Sequence, residues 1–526
     1  MVRQLQEITG LTYVLLFNQE INMKFIKNKL GLATLATAII FAGCNKFLDV
    51  NDTPNDPLEV PPSTLLSTGL AGTAFAVSNE LNRFASTIMS VTAGAAGNPL
   101  AWDIYNNVTG AEFGNQWNFE LYGGALINYR KMIQAAEAQQ GAAYAGIGKI
   151  MTAYTFSVVT NTWGDVPYSE ALQGDVEVTT PRLDAQRDIY LGNSAENIQG
   201  LIDMVREGLA DLDRESIVNP GATDIVYGGN IDRWRRAGNL LLLKLAMQIS
   251  QVEPTISSQV IREVMEANHY INENAGNLSV RFGGQVGSQS PLWTLTNNSL
   301  FQNELLISTR FLNLLQGLND PRLPNFVTRV QQTPGATPTY VTIDNGFRGV
   351  VPLATLTNPQ RPGRSVYNSY ATGVSGEGPV RLLTYAQTSF ILAEAVVRFG
   401  LAGDAQALYA QGIRASMGEA GITAENITAY FNANPTVVTL SGNNEQRIEQ
   451  IIRQKYISLF SNGLEQWNDW RRTGYPVLAE HTNAQGIDGR RPVRAVYLFT
   501  EQQRNPNFPQ GNTVPESNVP LWWDVN

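Results

Sequence analysis

The strongest regularity in this chain is helical periodicity. In "AYAGIGKIMTAYTFSVVTNTWGDVPY", Ile147, Ile150, Met151, Tyr154 and Val158 recur at about 3.6-residue spacing, which lays one buried stripe along a helix. Gly164 and Pro167 cannot continue it, so it must end near Asn161. "NSAENIQGLIDMVREGLADLD" repeats the pattern through Ile198, Leu201, Ile202, Val205 and Leu209, with Asn193 or Ser194 as N-cap. "IDRWRRAGNLLLLKLAMQIS" is apolar on more than one side, which marks a central helix.

A helical pair follows near the C-terminus. "RLLTYAQTSFILAEAVVRFG" aligns Leu382, Ala386, Phe390, Ala393 and Val397. Gly400 and Gly403 break it, Asp404 caps the next segment, and "AQALYAQGIRASMGEAG" returns as an antiparallel partner. The small residues Ala386, Ala393 and Ala405 let the two axes approach. "EQRIEQIIRQKYISLFSNG" is a further helix, with Asn462-Gly463 as its C-cap. Helix, short break, helix is the layout of tetratricopeptide-type hairpins. Between the hairpins lie long Gly/Pro/Asn/Ser/Thr stretches, about 277–300 and 331–379, and loops of that length are usually functional or disordered. Trp293, Tyr340, Tyr367 and Tyr370 within them favour order. The expected fold class is mostly α, with tetratricopeptide-like hairpins supporting a loop-rich part.

Composition removes several functions. A net charge of −9 leaves no basic stripe for nucleic acid. The single cysteine, Cys44, rules out an intrachain disulfide and thiolate metal clusters. His269 and His481, the only histidines, have no metal-ligand spacing around them and read as surface or helix-end residues. No Walker loop, nucleophile elbow or dinucleotide fingerprint is present, so no cofactor, metal or catalytic residue is expected. "DVNDTPND" fails as a calcium loop because Pro54 stands where the turn needs glycine.

The cysteine follows a basic segment (Met23 to Lys29) and the run Leu30 to Phe41, which falls short of the roughly 20 apolar residues that span a bilayer. With the small residues Ala42-Gly43 this is the pattern of an export signal. "AGC" resembles the lipobox of bacterial lipoproteins, with Phe41 where leucine is usual, so Cys44 is the expected lipid attachment site. The expected layout is a mis-assigned extension over 1–22, a lipoprotein signal over 23–43, a lipidated tether over 44–62 and a helical domain over 63–526.

"NTWGDVPYSEAL", "IDRWRRAGNLLLLKLAMQIS", "NDPRLPNF", "YAQTSFILAEAVVRFG…AQALYAQGIRASM" and "QKYISLFSNGLEQWNDWRRTGYP" occur in this order. Together with the lipoprotein start, they resemble the SusD/RagB family of Bacteroidetes outer-membrane lipoproteins over nearly the whole mature chain. The resemblance implies a nutrient-binding protein and not an enzyme. It would capture an oligosaccharide or peptide and close as an extracellular lid over a TonB-dependent, SusC-like transporter. The motifs themselves read as scaffold: Trp467 and Trp470 pack, and Asp469 pairs with Arg471 or Arg472.

Sugar rings stack their C–H faces on exposed aromatics, and their hydroxyls match amides and carboxylates. "GNPLAWDIYNN" offers Trp102 and Tyr105 beside Asn98 and Asp103, and "QSPLWTLTNN" offers Trp293. These five are the candidate ligand contacts, and the position of the two stretches matches the family's. Trp117 and Tyr122 lie in a helical pattern and read as core. A lipid-anchored glycoside hydrolase and a helical-repeat scaffold without a small ligand are the rival readings.

Overall fold

The computed structural model describes residues 60–297, 301–331, 335–351 and 363–525. Cys44, the segments 1–22 and 23–43 and the tether as far as residue 59 lie outside them, and Pro62 of the expected tether already belongs to a helix. Proline cannot donate a backbone hydrogen bond, and the first described helix, Pro62–Ser78, opens with Pro at its first position, where no donor is needed.

The Ala142–Trp163 helix is buried along almost its whole length, because it is packed from both sides. One neighbour is Ile127–Ala138, the other Leu201–Leu212, which in turn packs on Ile231–Gln248. Glycine permits the second contact: a Cβ on Gly146 would stand 2.6 Å from the Gly208 carbonyl oxygen. The helix ends at Gly164, whose φ of 91° suits glycine. Asp165 accepts the Gln186 amide at 2.7 Å and ties down the exit.

The C-terminal hairpin forms as its pattern requires. Tyr385–Phe399 opens with a Thr384–Gln387 capping box and closes at Gly400 in the left-handed region. Asp404 caps Ala405–Glu419 through the Ala407 amide. Asn444–Ser458 and Gly463–Thr473 complete this part.

Three local expectations are corrected. Asn193 and Ser194 belong to a tight turn, and the next helix starts only at Leu201, after Gly200. Asn462 does not end a helix; its side chain caps the following one by accepting the Glu465 amide. The first residues of the expected Arg381 helix form a strand instead.

That strand, β4 (Val380–Leu383), pairs antiparallel with β2 (Leu278–Val280). The other ladder joins β1 (Thr92–Gly94) to β3 (Leu305–Ile307) in the register Thr92↔Ile307 and Gly94↔Leu305. Both ladders lie in the irregular part, where partners far apart in sequence override local helical propensity.

A buried ionic knot locks the C-terminal helices. Glu394 lies between Arg472, 2.8 Å away, and Arg398, 3.0 Å away, and Asp469 joins Arg472 at 3.1 Å and Lys455 at 2.9 Å. Burial alone would raise the Glu394 pKa, but Arg472 and Arg398 overcome it and hold the group at about 2. A second knot pairs Asp320 with Arg322 at 2.6 Å, and Arg322 reaches Ser416 in the hairpin. Among the described residues no helix is long and apolar enough to cross a membrane.

Candidate functional site

The rim that follows β1 has its shape because side chains are missing where the chain turns. A Cβ on Gly94 would stand 2.0 Å from the Pro99 carbonyl oxygen, and Gly97 has a φ of 58° beside the Glu304 carboxylate. This tight turn starts the short helix Gly97–Trp102 and drives its end into the protein.

Trp102 is therefore core, with no exposed surface. Its ring meets the edge of Phe84 at 5.7 Å, and Phe84 meets Trp467 at 5.5 Å. Tyr105 is buried against the His481 ring at 4.8 Å. Asp103 is buried too, accepting from the Asn345 side chain at 2.7 Å and the Gly346 amide at 2.6 Å. Burial pushes the Asp103 pKa up to about 6, against the pull of those hydrogen bonds. The expectation that Trp102, Tyr105 and Asp103 face a ligand is thus corrected: none has a surface to offer in this state.

His481 is corrected as well, from surface to core. Its Nδ1 donates to the Asp103 carbonyl oxygen at 3.0 Å, so Nε2 is the acceptor for the Ser90 hydroxyl at 2.9 Å. Ser90, His481 and Asp103 stand in the order of a hydrolytic triad. The imidazole, however, is bound to the aspartate's main chain, its carboxylate is 3.5 Å away, and all three residues are closed to substrate. The group staples the loops around 90, 103, 345 and 481 together. His269 is half-buried and pairs with Asp232 at 2.7 Å. Among the described residues no group of three or more His, Cys, Asp or Glu could hold a metal ion.

Above the aromatic core the rim is polar and open. Asn98 is exposed, its side chain 3.4 Å from Glu112. Asn106 is exposed and reaches Gln485 at 3.3 Å. Glu112 and Glu120 are both raised in pKa by burial first and by the nearby charge of Glu80 second. Glu120 accepts from Asn79 at 2.7 Å. Arg83, almost fully buried, bonds Glu80 and Glu304 and lies 5.7 Å from the Phe301 ring. Glu80 thus stands among Glu112, Glu120 and Arg83, and Arg83 links this group to Glu304: carboxylates outnumber the guanidinium.

Arg83 links the two candidate stretches here. Trp293 sits half-buried on the helix Pro291–Asn297. Leu292, Leu295 and Thr296 of that helix line the same small cavity as Arg83 and Thr92, and Arg83 carries the contact on to Glu304 beside Gly97.

Sequence reasoning missed Phe119, which is 72 % exposed. Residues Gln116–Leu126 wind as a π-helix, so residue spacing there departs from 3.6 per turn. Trp117 turns inward against Trp163 at 5.0 Å, and half-buried Tyr122 donates to the Pro167 carbonyl at 2.7 Å. Phe119, beside Glu120, is left facing solvent.

The comparisons with known proteins follow this anatomy. A family model described as SusD-like, starch-binding and associating with the outer membrane matches residues 54–497. The chain belongs to the SusD-like family. A solved chitin-binding protein superposes with a TM-score of 0.73 at 24 % identity, covering 88 % of this chain and 100 % of that one. A chitin-binding SusD homologue from Flavobacterium johnsoniae gives 0.69 at 20 % identity, covering 88 % and 99 %. A SusD homologue from Bacteroides fragilis gives 0.68 at 25 % identity, covering 89 % and 99 %. No curated protein matches the chain. Membership makes this a protein of a carbohydrate-binding, outer-membrane-associated family, and its tetratricopeptide-like hairpins fit the SusD fold.

Proposed function

We propose that this SusD-like protein captures a neutral oligosaccharide at the rim around Glu80 and delivers it to a TonB-dependent transporter, over which it acts as a lid. The observation that carries the reading is the exposed Phe119 ring on the same π-helix as Glu120, whose side chain reaches back to Asn79 next to Glu80. An aromatic face suits the apolar side of a pyranose, and Glu80, Glu112, Asn98 and Asn106 suit its hydroxyls. The excess of carboxylates disfavours uronic or sulfated glycans, because like charges repel in a partly desolvated rim. Trp293, on the helix that shares the Arg83 cavity, is the second aromatic contact.

Anchoring through a lipid on Cys44 completes the proposal: acyl chains contribute about 0.8 kcal/mol per buried CH₂, and two or more hold stably. Chitin and starch fragments are the first ligands to try, since the similar structures and the family description point to them. The test is calorimetry of the full chain against chito- and malto-oligosaccharides and short peptides, with product analysis afterwards. Saturable glycan binding without turnover is expected. Cleavage products would support a hydrolase instead, and preferential peptide binding would move the protein to the family's other ligand class.

A further inference from the structure

A second concavity lies away from the rim, between the hairpin of Ile127–Ala138 with Ala142–Trp163 and the segments around 168–172 and 197–204. It holds about 340 Å³. That volume, lined by apolar side chains and by polar ones such as Gln134, Ser169, Asn197 and Gln199, is within the range of small-ligand sites. Ile133, Phe156 and Met204 supply apolar wall.

The polar groups are unevenly used. The Thr152 hydroxyl lines the groove, is shielded from solvent and has no hydrogen-bond partner, a state that costs free energy unless something fills it. Arg130 is the only charged residue of the lining. Its nearest carboxylate is the well-exposed Asp175 at 3.7 Å, too far for a hydrogen bond and easily displaced. Leu172, also in the lining, has a φ of 63°, a conformation a leucine adopts only when its surroundings impose it. A positive centre at an apolar groove, on a chain of net charge −9, selects for an anion with a greasy body.

We propose that this groove binds a small carboxylate with an aliphatic tail. The carboxylate pairs with Arg130, the tail lies against Ile133, Phe156 and Met204, and Thr152 donates to an oxygen of the ligand. This site is independent of the glycan rim and does not rest on that reading.

The probe is octanoate, below its self-association concentration, titrated into the full chain by calorimetry, with octanol as the uncharged control. Expected are one-to-one saturation by octanoate and about tenfold weaker binding of octanol. Arg130→Gln, at a partly exposed position that leaves the fold intact, should lower octanoate affinity about tenfold and leave octanol unchanged. In protein carrying ¹³C-methyl methionine, the Met204 signal, assigned by Met204→Leu, should shift on saturation. Absence of saturable binding, equal affinity for octanol, no effect of Arg130→Gln, or an unmoved Met204 signal would each overturn the proposal.

Discussion

The ionic knot at Glu394 and the rim at Glu80 are built from the same residue types and use them in opposite ways. At Glu394 every charge is answered and all but the half-buried Arg398 are buried: two arginines, a lysine and a second carboxylate close on one another. At Glu80 one arginine serves two glutamates, while Glu112 and Glu120 stand near enough to feel the same negative charge. Neutralised charge holds helices in register. Charge left over at a partly open rim leaves hydrogen-bonding capacity for something outside the chain.

The sharpest way to break this contrast is to remove one partner on each side. Glu394→Gln leaves Asp469 as the one carboxylate facing Arg472 and Lys455 in the core and should cost about 3–5 kcal/mol in urea unfolding. Trp102→Ala should cost a comparable ~3–5 kcal/mol, since it empties the aromatic core under the rim without touching the ligand surface. If Trp102→Ala instead left stability unchanged, the core assignment of that stretch would fail.

The next effect is pH-dependent and belongs to Asp103. Its folded pKa, about 6, lies above the ordinary 3.8, so the folded state holds the proton more tightly. The resulting stabilisation is full below about pH 4 and is lost as pH rises through 6. Relative to Asp103→Asn, the wild-type protein should lose up to ~3 kcal/mol of stability between pH 4 and 7, measured as paired unfolding curves. A parallel pair of curves would contradict the burial of that carboxylate.

The rim variants should be small in stability and visible only in binding. Phe119→Ala should stay within ~0.5 kcal/mol of the wild type in unfolding. Asn98→Ala should weaken glycan binding by about two- to tenfold, the worth of one net hydrogen bond, with no change in melting.

What the sequence disclosed, and what it hid, divides along the same line. Ile147 to Val158 and Ala386 to Val397 announce their helices because periodicity is local, and Asp404 announces its cap for the same reason. The strand at Val380–Leu383 was hidden because its partner at Leu278–Val280 is about a hundred residues away. Trp102 and Tyr105 stand in a loop-like sequence, yet Phe84, Trp467 and His481 enclose them from distant segments. Phe119 escaped notice because a π-turn shifts the faces of its helix. The stretches around Asn98 and Trp293 were chosen as loops with aromatics and amides; that Arg83 and Glu304 link them, and which of their residues face outward, depends on packing that composition does not encode.

The most direct test of the rim as the binding surface is the affinity of Phe119→Ala for the oligosaccharide that saturates the wild-type chain, measured by calorimetry at equal melting temperature. A loss of about tenfold or more is predicted, equivalent to about 1.4 kcal/mol or more of binding free energy. Unchanged affinity in a fully folded variant would contradict the placement of the ligand at the Glu80 rim.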